Sequence, residues 1–516
     1  MASSAAAAPS GLDSYLKIAP SRRLLAGLVL AISNFMVVLD LTVANVSVPH
    51  IAGNLGITPD QGTWVITSYA VAEAICVPLT GWLALRFGTV RMFIAAMFGF
   101  GLFSLLCGLS TTLGMLVACR IGQGIAGAPL MPLSQTLMLQ IFPPEKRGMA
   151  IGLWAMTTML GPAAGPIVGG WISDNYSWHW IFLINVPVAL ACVFAARLLL
   201  KPAETPVRKV PIDIIGLLLL IFWIGNLQIM LDIGRDHDWF GDPLIVALAV
   251  MAAIGFVVFV IWELTEEHPV VDLRIFRHRG FTTGVISLAL CFGAYFASIV
   301  VIPQWLQISM GYTATQAGLA TAFTAMTAII TSQIAARMMG KIDARIMISL
   351  AVAWLGVMSV MRTTWTTDAN FWILSMPQIL QGFAMSFFMI PLTAVTLTSV
   401  LPHETASAAG LQNFLRTMAI AVATSLVLTV WGDSQRVAQN ELASTIQPAD
   451  AQATLAQAGL PAEQARQVIG SIVENQAVMM AINHTFWITA VVLFIAAAVV
   501  WIAPRPKQPT DHPAAH

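Results

Sequence analysis

Charge is what this chain has least of: Asp, Glu, Lys and Arg together make up 10% of its 516 residues, while 58% are hydrophobic. Soluble domains carry about a quarter charged residues. One soluble core could not hide this much apolar surface, so ordinary soluble folds are excluded and the bilayer is the expected solvent. Cysteine is scarce as well. Cys76, Cys107, Cys119, Cys192 and Cys291 all fall inside apolar runs without CxxC spacing, which argues against a disulfide framework or a zinc site. The nine histidines show no H-E-x-x-H or similar ligand spacing, so no metal is expected. The chain lacks G-x-x-x-x-G-K-[ST], so ATP hydrolysis by this polypeptide is not its energy source. Gly122, Gly124 and Gly127 fit G-x-G-x-x-G on paper, but they lie in an apolar span with no strand before it, where close helix packing explains them better. Acidic and basic residues balance at 25 each, a zero that averages a basic face with one poor in Lys and Arg and so says nothing about partners; no nucleic-acid partner is expected.

What is present is a succession of apolar runs of about 20 residues, the length that crosses a bilayer as a helix. Fourteen such spans begin near Leu24, Gly62, Met92, Leu113, Met149, Ile181, Ile212, Leu244, Thr282, Gln316, Ile346, Phe371, Thr405 and Ile482. The predicted class is therefore an all-α membrane protein with 14 transmembrane helices. Positive residues in short loops favour the cytoplasm. Nineteen of the 25 Lys and Arg residues fall in the tails and one set of alternate loops, among them Arg86, Arg91, Lys146, Arg147, Arg337 and Lys341. The opposite loops hold only Arg235, Arg362, Arg436 and Arg466. Both termini are accordingly expected in the cytoplasm. The first span is too long for a signal-peptide core, and no cleavage is expected.

The chain also repeats itself. Span four and its exit loop read R-I-G-Q-G from Arg120, P-L-S from Pro132 and P-P-E from Pro143; span twelve reads Q-I-L-Q-G from Gln378, P-L-T from Pro391 and P-H-E from Pro402. These landmarks are 258 or 259 residues apart. Repeated halves are a common way to build a transporter. The expected organisation is 6 + 2 + 6: a tail (1–23), a six-helix half (24–200), an inserted helix pair with its linkers (201–281), a second six-helix half (282–503) and a tail (504–516). A long outer loop (432–481), rich in Ala and Gln, is expected to form amphipathic helices.

Four charges sit well inside spans: Asp40, Glu73, Arg120 and Arg416. Exposing them to lipid is costly, so they should face the bundle interior. At 1.5 Å of rise per residue, Asp40 and Arg120 both lie roughly 10–14 Å below the outer surface and are able to pair. Glu73 and Arg416 lie roughly 16 Å deep, placed for a central cavity. Gln123, Gln381 and Asn413 join Glu73 and Arg416 as candidate cavity residues. Asp40, Glu73 and Arg120 are the candidate proton-coupling residues, because a carboxylate beside Arg tends to lose its proton and an unpartnered one tends to hold it. A static buried ion pair that fixes helix packing is the plainer reading of Asp40 and Arg120. Arg416 could equally satisfy helix carbonyls.

The fifth span carries five glycines and two prolines. Gly161, Gly165 and Gly169 recur every four residues and form a bare stripe against which another helix backbone can pack. Pro162 and Pro166 each remove a backbone donor beside it. The full spacing from Gly152 is G-x8-G-x3-GP-x2-GG, ending at Gly169 and Gly170. It resembles the antiporter motif in the fifth helix of major facilitator superfamily drug exporters, where it sits at the contact between the two halves.

Further stretches carry the same resemblance. LDLTVANVSVP around Asp40 resembles the first-helix motif of the fourteen-helix drug:proton antiporters, and Arg120-Ile121-Gly122-Gln123-Gly124 resembles their fourth-helix motif, assigned to proton coupling. GWLALRFGTVR from Gly81 resembles the superfamily's loop motif at Gly81, Leu83, Arg86, Gly88 and Arg91, but has Leu85 where the pattern has an aspartate. With QGTWVITSYAVAEAICVPLTGWL, SWHWIFLINVP and LQIMLDIGRDHDWF, the match covers nearly the whole chain and is closest to EmrB-type exporters. The resemblance implies a major facilitator fold in the inner membrane and export of small hydrophobic substrates against a proton gradient, without a cofactor. It also implies an EmrA-type periplasmic adaptor with an outer-membrane channel. From the residues alone, an uptake symporter or facilitator on the same scaffold stays open. A membrane-embedded sensor or enzyme would need an output domain or a catalytic cluster, and neither is visible.

Overall fold

The computed structural model describes residues 18–208, 211–234, 237–339, 341–401, 403–445 and 461–502. These residues form helices almost throughout, as they must where lipid offers backbone amides no partner. The helices in chain order are α1 (Pro20–Leu55), α2 (Pro59–Cys76), α3 (Thr80–Phe87), α4 (Thr89–Gly108), α5 (Leu113–Gly127), α6 (Leu130–Ile141), α7 (Arg147–Asn175), α8 (Trp180–Leu183) and α9 (Asn185–Leu199). They continue with α10 (Ile214–Ile233), α11 (Pro243–Thr265), α12 (Arg279–Ile308), α13 (Ala314–Met338), α14 (Ala344–Arg362), α15 (Phe371–Thr398), α16 (Thr405–Thr445) and α17 (Ala462–Val499).

Local sequence sets the ends. Thr58 with Gln61 and Thr313 with Gln316 form reciprocal capping boxes at the starts of α2 and α13. Thr112, Asp213, Asp242, Asp343 and Asn370 each accept a backbone N–H at a helix start. Pro78 and Pro129 fall where the second and fourth spans are interrupted, dividing them into α2–α3 and α5–α6.

Thirteen helical segments among the described residues are long and apolar enough to cross a membrane, and each falls on an expected span. The expected fifth span, α7, is not one of the thirteen; its 29 residues rise about 43 Å, enough to cross a hydrocarbon core of about 30 Å. The outer loop expected to fold into separate amphipathic helices is different in the structure. Its flanks are straight extensions of α16 and α17, which run to 41 and 38 residues, and residues 446–460 lie outside the described residues.

Packing groups the helices. α1 lies against α6, α7 and α9; α2 packs on α5, and α4 on α5 and α9. In the later part of the chain α13 packs on α15, α14 on α15 and α17, and α12 on α16 and α17. The two groups meet where α7 touches α13 and α15, and where α16 touches α3 and α6. α10 and α11 pair with each other, and α10 reaches α2 and α16.

Candidate functional site

Asp40 on α1 and Arg120 on α5 meet, as their depths allow. Arg120 Nη1 donates to Asp40 Oδ2 at 2.7 Å, and both side chains are at most 1% exposed. Two charges removed from water need their remaining hydrogen-bonding capacity filled, and most of it is. Gln123, one turn along α5 from Arg120, accepts from Nη1 at 2.8 Å and donates its Nε2 to Asp40 Oδ1 at 3.1 Å. Asn185, at the start of α9, donates to the same Oδ1 at 2.7 Å and to Ser104 Oγ on α4 at 3.1 Å. Arg120 Nε donates to the Val65 carbonyl of α2 at 3.0 Å, and the guanidinium lies 4.2 Å from the ring centre of Tyr69. Arg120 Nη2 and the Tyr69 hydroxyl are buried and find no hydrogen-bond partner among the described residues. One carboxylate thus ties together α1, α5 and α9, and its partner adds α2.

The candidate cavity residues divide among three places. Gln123 belongs to the Asp40 network. Gln381, on α15, belongs to a second buried cluster around Arg362, whose Nη2 donates to Gln381 Oε1 and, at 3.0 Å, to Gln378 Oε1. Phe486 of α17 stacks under Arg362 at 5.8 Å. Counting Arg362 among outer-loop charges was therefore wrong. It is the last residue of α14, it is 1% exposed, and its side chain folds back into the bundle onto two amides.

Asn413 and Arg416 sit between the two groups of helices. Asn413 Nδ2 on α16 donates to Gln135 Oε1 on α6 at 2.8 Å. Arg416, one turn further, contacts the Met131 sulfur of α6 and lies over the rings of Trp154 on α7 and Phe292 on α12, at 5.7 and 5.5 Å. No ion pair to Arg416 forms among the described residues. Glu73 on α2 is buried, makes no hydrogen bond or ion pair among the described residues, and feels the charge of Arg416.

The glycine stripe packs closely, but on α1. A Cβ at Gly161 would strike Val38, one at Gly165 would strike Thr42, and one at Gly169 would lie 3.0 Å from Val43. The Thr42 hydroxyl donates to the Gly161 carbonyl at 3.1 Å, Asn34 donates to Thr157 and Thr158, and Ser47 meets Ser173 at 2.9 Å. α7 also packs on α13 and α15 of the other group of helices, and near its N-terminal end Gly148 and Gly152 approach Ala336 of α13. Gly152 thus lies against Ile390 and α13, while the stripe fastens α7 to the helix that carries Asp40. Gly170 is buried with nothing within 4 Å of its missing Cβ, and the Pro166 side chain lies outside the described residues.

Sequence reasoning missed Asn185, Ser104, Tyr69 and Arg362. Asn185 left a trace, the single amide in W-I-F-L-I-N-V-P; a serine or tyrosine in an apolar helix leaves none.

Outside the spans, Glu404 accepts from Arg277 at 2.6 Å, from His278 Nε2 at 2.9 Å when that nitrogen carries its hydrogen, and from the Leu401 N–H at 3.0 Å. Burial works against its charged form, yet these donors hold its carboxyl below the usual carboxylate range. No group of three His, Cys, Asp or Glu among the described residues could hold a metal ion.

Comparison with known proteins agrees with the arrangement. Residues 30–424 match the family model of the Major Facilitator Superfamily. The multidrug export protein EmrB of Escherichia coli is 42% identical over 92% of this chain and 94% of its own length. The fatty acid resistance protein FarB of Neisseria gonorrhoeae is 39% identical over 92% of this chain and 95% of its own. Among solved structures, the proton:xylose symporter XylE aligns with a TM-score of 0.59 over 95% of this chain and 97% of its own, at 14% identity, a likeness of fold alone.

Proposed function

Because the chain belongs to the major facilitator superfamily, and within it to the EmrB-type multidrug exporters, a transporter and not an enzyme, we propose that it moves hydrophobic or amphiphilic compounds out across the inner membrane in exchange for protons. The observation that carries this reading is the difference between its two deepest carboxyls. Asp40 is enclosed by Arg120, Gln123 and Asn185, whereas Glu73 has no hydrogen-bond partner among the described residues and feels the charge of Arg416.

The chemistry follows from those contacts. A proton arriving at Asp40 removes the charge that holds Arg120, so the contact of α1 with α5 and α9 loosens at once. A proton on Glu73 removes its attraction to Arg416, which lies on α16 at the meeting of the two groups of helices. Each event favours a different packing of the same helices, and alternating access needs two such packings. Substrates would occupy the space beside Arg416, Met131, Trp154 and Phe292, with the proton gradient as energy source and no cofactor.

The same reading takes α7 as the fourteenth membrane crossing, places both termini in the cytoplasm, and divides the chain 6 + 2 + 6. The outer extensions of α16 and α17 would then meet an EmrA-type periplasmic adaptor that leads to an outer-membrane channel. Inverted membrane vesicles test the central claim. An imposed gradient, acid inside, should drive uptake of a hydrophobic dye, and Asp40→Asn should abolish it. Dye movement that ignores the gradient, or an Asp40→Asn variant that transports normally, would show the proton exchange to be wrong. Uptake of substrate by intact cells would favour the symporter instead.

A further inference from the structure

A groove on the lipid-facing side of α4 and α9 encloses a cavity of 670 Å³ that the transport reading does not use. Its α4 wall is one helical face: Arg91, Ile94, Ala95 and Phe98 recur at i, i+3, i+4 and i+7. Its α9 wall carries Val193 and Arg197 one turn apart, and Lys201 follows in the short turn after α9. Both faces run from cations at one membrane surface to apolar side chains below it. From Arg91 to Phe98 the groove descends about 10 Å, the depth from a phosphate into the upper acyl chains.

The cations are left available. Arg91 has a side chain 73% exposed and comes only within 3.8 Å of Glu204. Arg197 and Lys201 are exposed and form no ion pair among the described residues. Glu204, the one carboxylate in the groove, already accepts the backbone N–H groups of Val90 and Arg91, each at 3.0 Å, and of Thr205 at 3.1 Å. It serves as the cap of α4 and offsets only one of three positive charges.

We propose that this groove binds an anionic glycerophospholipid, its phosphate among Arg91, Arg197 and Lys201 and one acyl chain against Ile94, Phe98 and Val193. Two surplus cations discriminate by charge, since each Lys or Arg near an anionic lipid surface contributes about fivefold. An anionic lipid should therefore be preferred over a zwitterionic one on the order of 20-fold. A free phosphate ion engages the cations but leaves the apolar walls empty, so it should bind far more weakly.

The test uses the full-length protein in mild detergent, offered phosphatidylglycerol, phosphatidylcholine or inorganic phosphate, with bound lipid counted by native mass spectrometry and the unfolding midpoint followed in parallel. The expected result is selective retention of phosphatidylglycerol, with no protection by inorganic phosphate. Joint replacement Arg91→Ala, Arg197→Ala and Lys201→Ala should remove the selectivity, while the charge-matched set Arg22→Ala, Lys146→Ala and Arg279→Ala keeps it. Phe98→Asn, which leaves every cation in place, should reduce retention of both lipids. Equal retention of the two lipids, protection by phosphate alone, or a triple variant that binds like the parent each overturns the proposal. Should the triple variant fail to fold, the competition on the parent protein and Phe98→Asn decide the matter.

Discussion

In the proposed first half the buried guanidinium of Arg120 meets a carboxylate, whereas in the proposed second half the buried guanidinium of Arg362 hydrogen-bonds, among the described residues, to amide oxygens. The 258-residue offset that aligns Arg120 with Gln378 also aligns Gln123 with Gln381 and Ser104 with Arg362. The cation has thus moved from the fourth helix of one half to the third helix of the other, and in both places it stacks on a phenylalanine from the sixth, Phe182 or Phe486. The carboxylate has no counterpart in the second cluster. A cluster with an acid–base pair can change its bonding when a proton arrives; a cluster in which a cation rests on two amides holds no carboxylate to accept one. Proton response is therefore expected from the Asp40 cluster, and a fixed packing from the Arg362 cluster.

The strongest way to break this comparison is to remove one member of the pair. Asp40→Asn leaves Arg120 buried without a counter-charge, a change that costs about 3–5 kcal/mol in such pairs, and it should abolish gradient-driven transport. Arg362→Gln removes a cation without stranding another charge. Its cost should be nearer 1–3 kcal/mol, from the unfilled Gln378 and Gln381 oxygens, and transport should keep its pH profile. Unfolding midpoints in detergent, measured beside vesicle transport, separate the two outcomes; equal losses of coupling would erase the distinction between clusters. Gly165→Leu drives a side chain into Thr42 and should cost about 1–3 kcal/mol through overpacking, together with proton leak detected by a pH-sensitive dye in substrate-free vesicles. A tightly coupled Gly165→Leu protein would count against the close seating of α7 on α1.

Two smaller effects sharpen the picture. Glu73→Gln, at a carboxyl that holds no partner, should leave the unfolding midpoint nearly unchanged while a drug-susceptibility panel shows loss of resistance. Glu404 is a test of the second half's inner end. Its carboxyl is held below the usual range, so its contribution is fully present above the ordinary Glu value of about 4.3 and is lost as pH falls through the lower folded value. Glu404→Gln should accordingly lower the midpoint at neutral pH and flatten its decline in acid.

Much of this was legible in the sequence, for physical reasons that are uneven. Apolar length and loop charge mark the spans because lipid tolerates little else. Asp40 and Arg120 could be paired from depth alone, since rise per residue is fixed. Arg362 was misread because it ends its helix, and the direction in which a long side chain folds is a matter of neighbours, here Gln378 and Gln381. Spacing showed that the stripe at Gly161, Gly165 and Gly169 packs against something; only coordinates name Val38, Thr42 and Val43 as the surface it meets. Asn185 bonds to a carboxylate contributed by another helix, and Ser104 bonds to Asn185 and to the Phe182 carbonyl; no local pattern announces either.

The seating of the glycine stripe on α1 has a mechanical consequence. Asn34, Thr42 and Ser47 are bonded along the seam, so α1 and α7 are expected to move together, with Asp40 on one helix and Gly152 near the N-terminal end of the other. A small tilt of the pair at the carboxylate becomes a displacement at the contact with α13, so a chemical event about the size of one proton can be geared up into movement between halves without any wire of intermediate contacts.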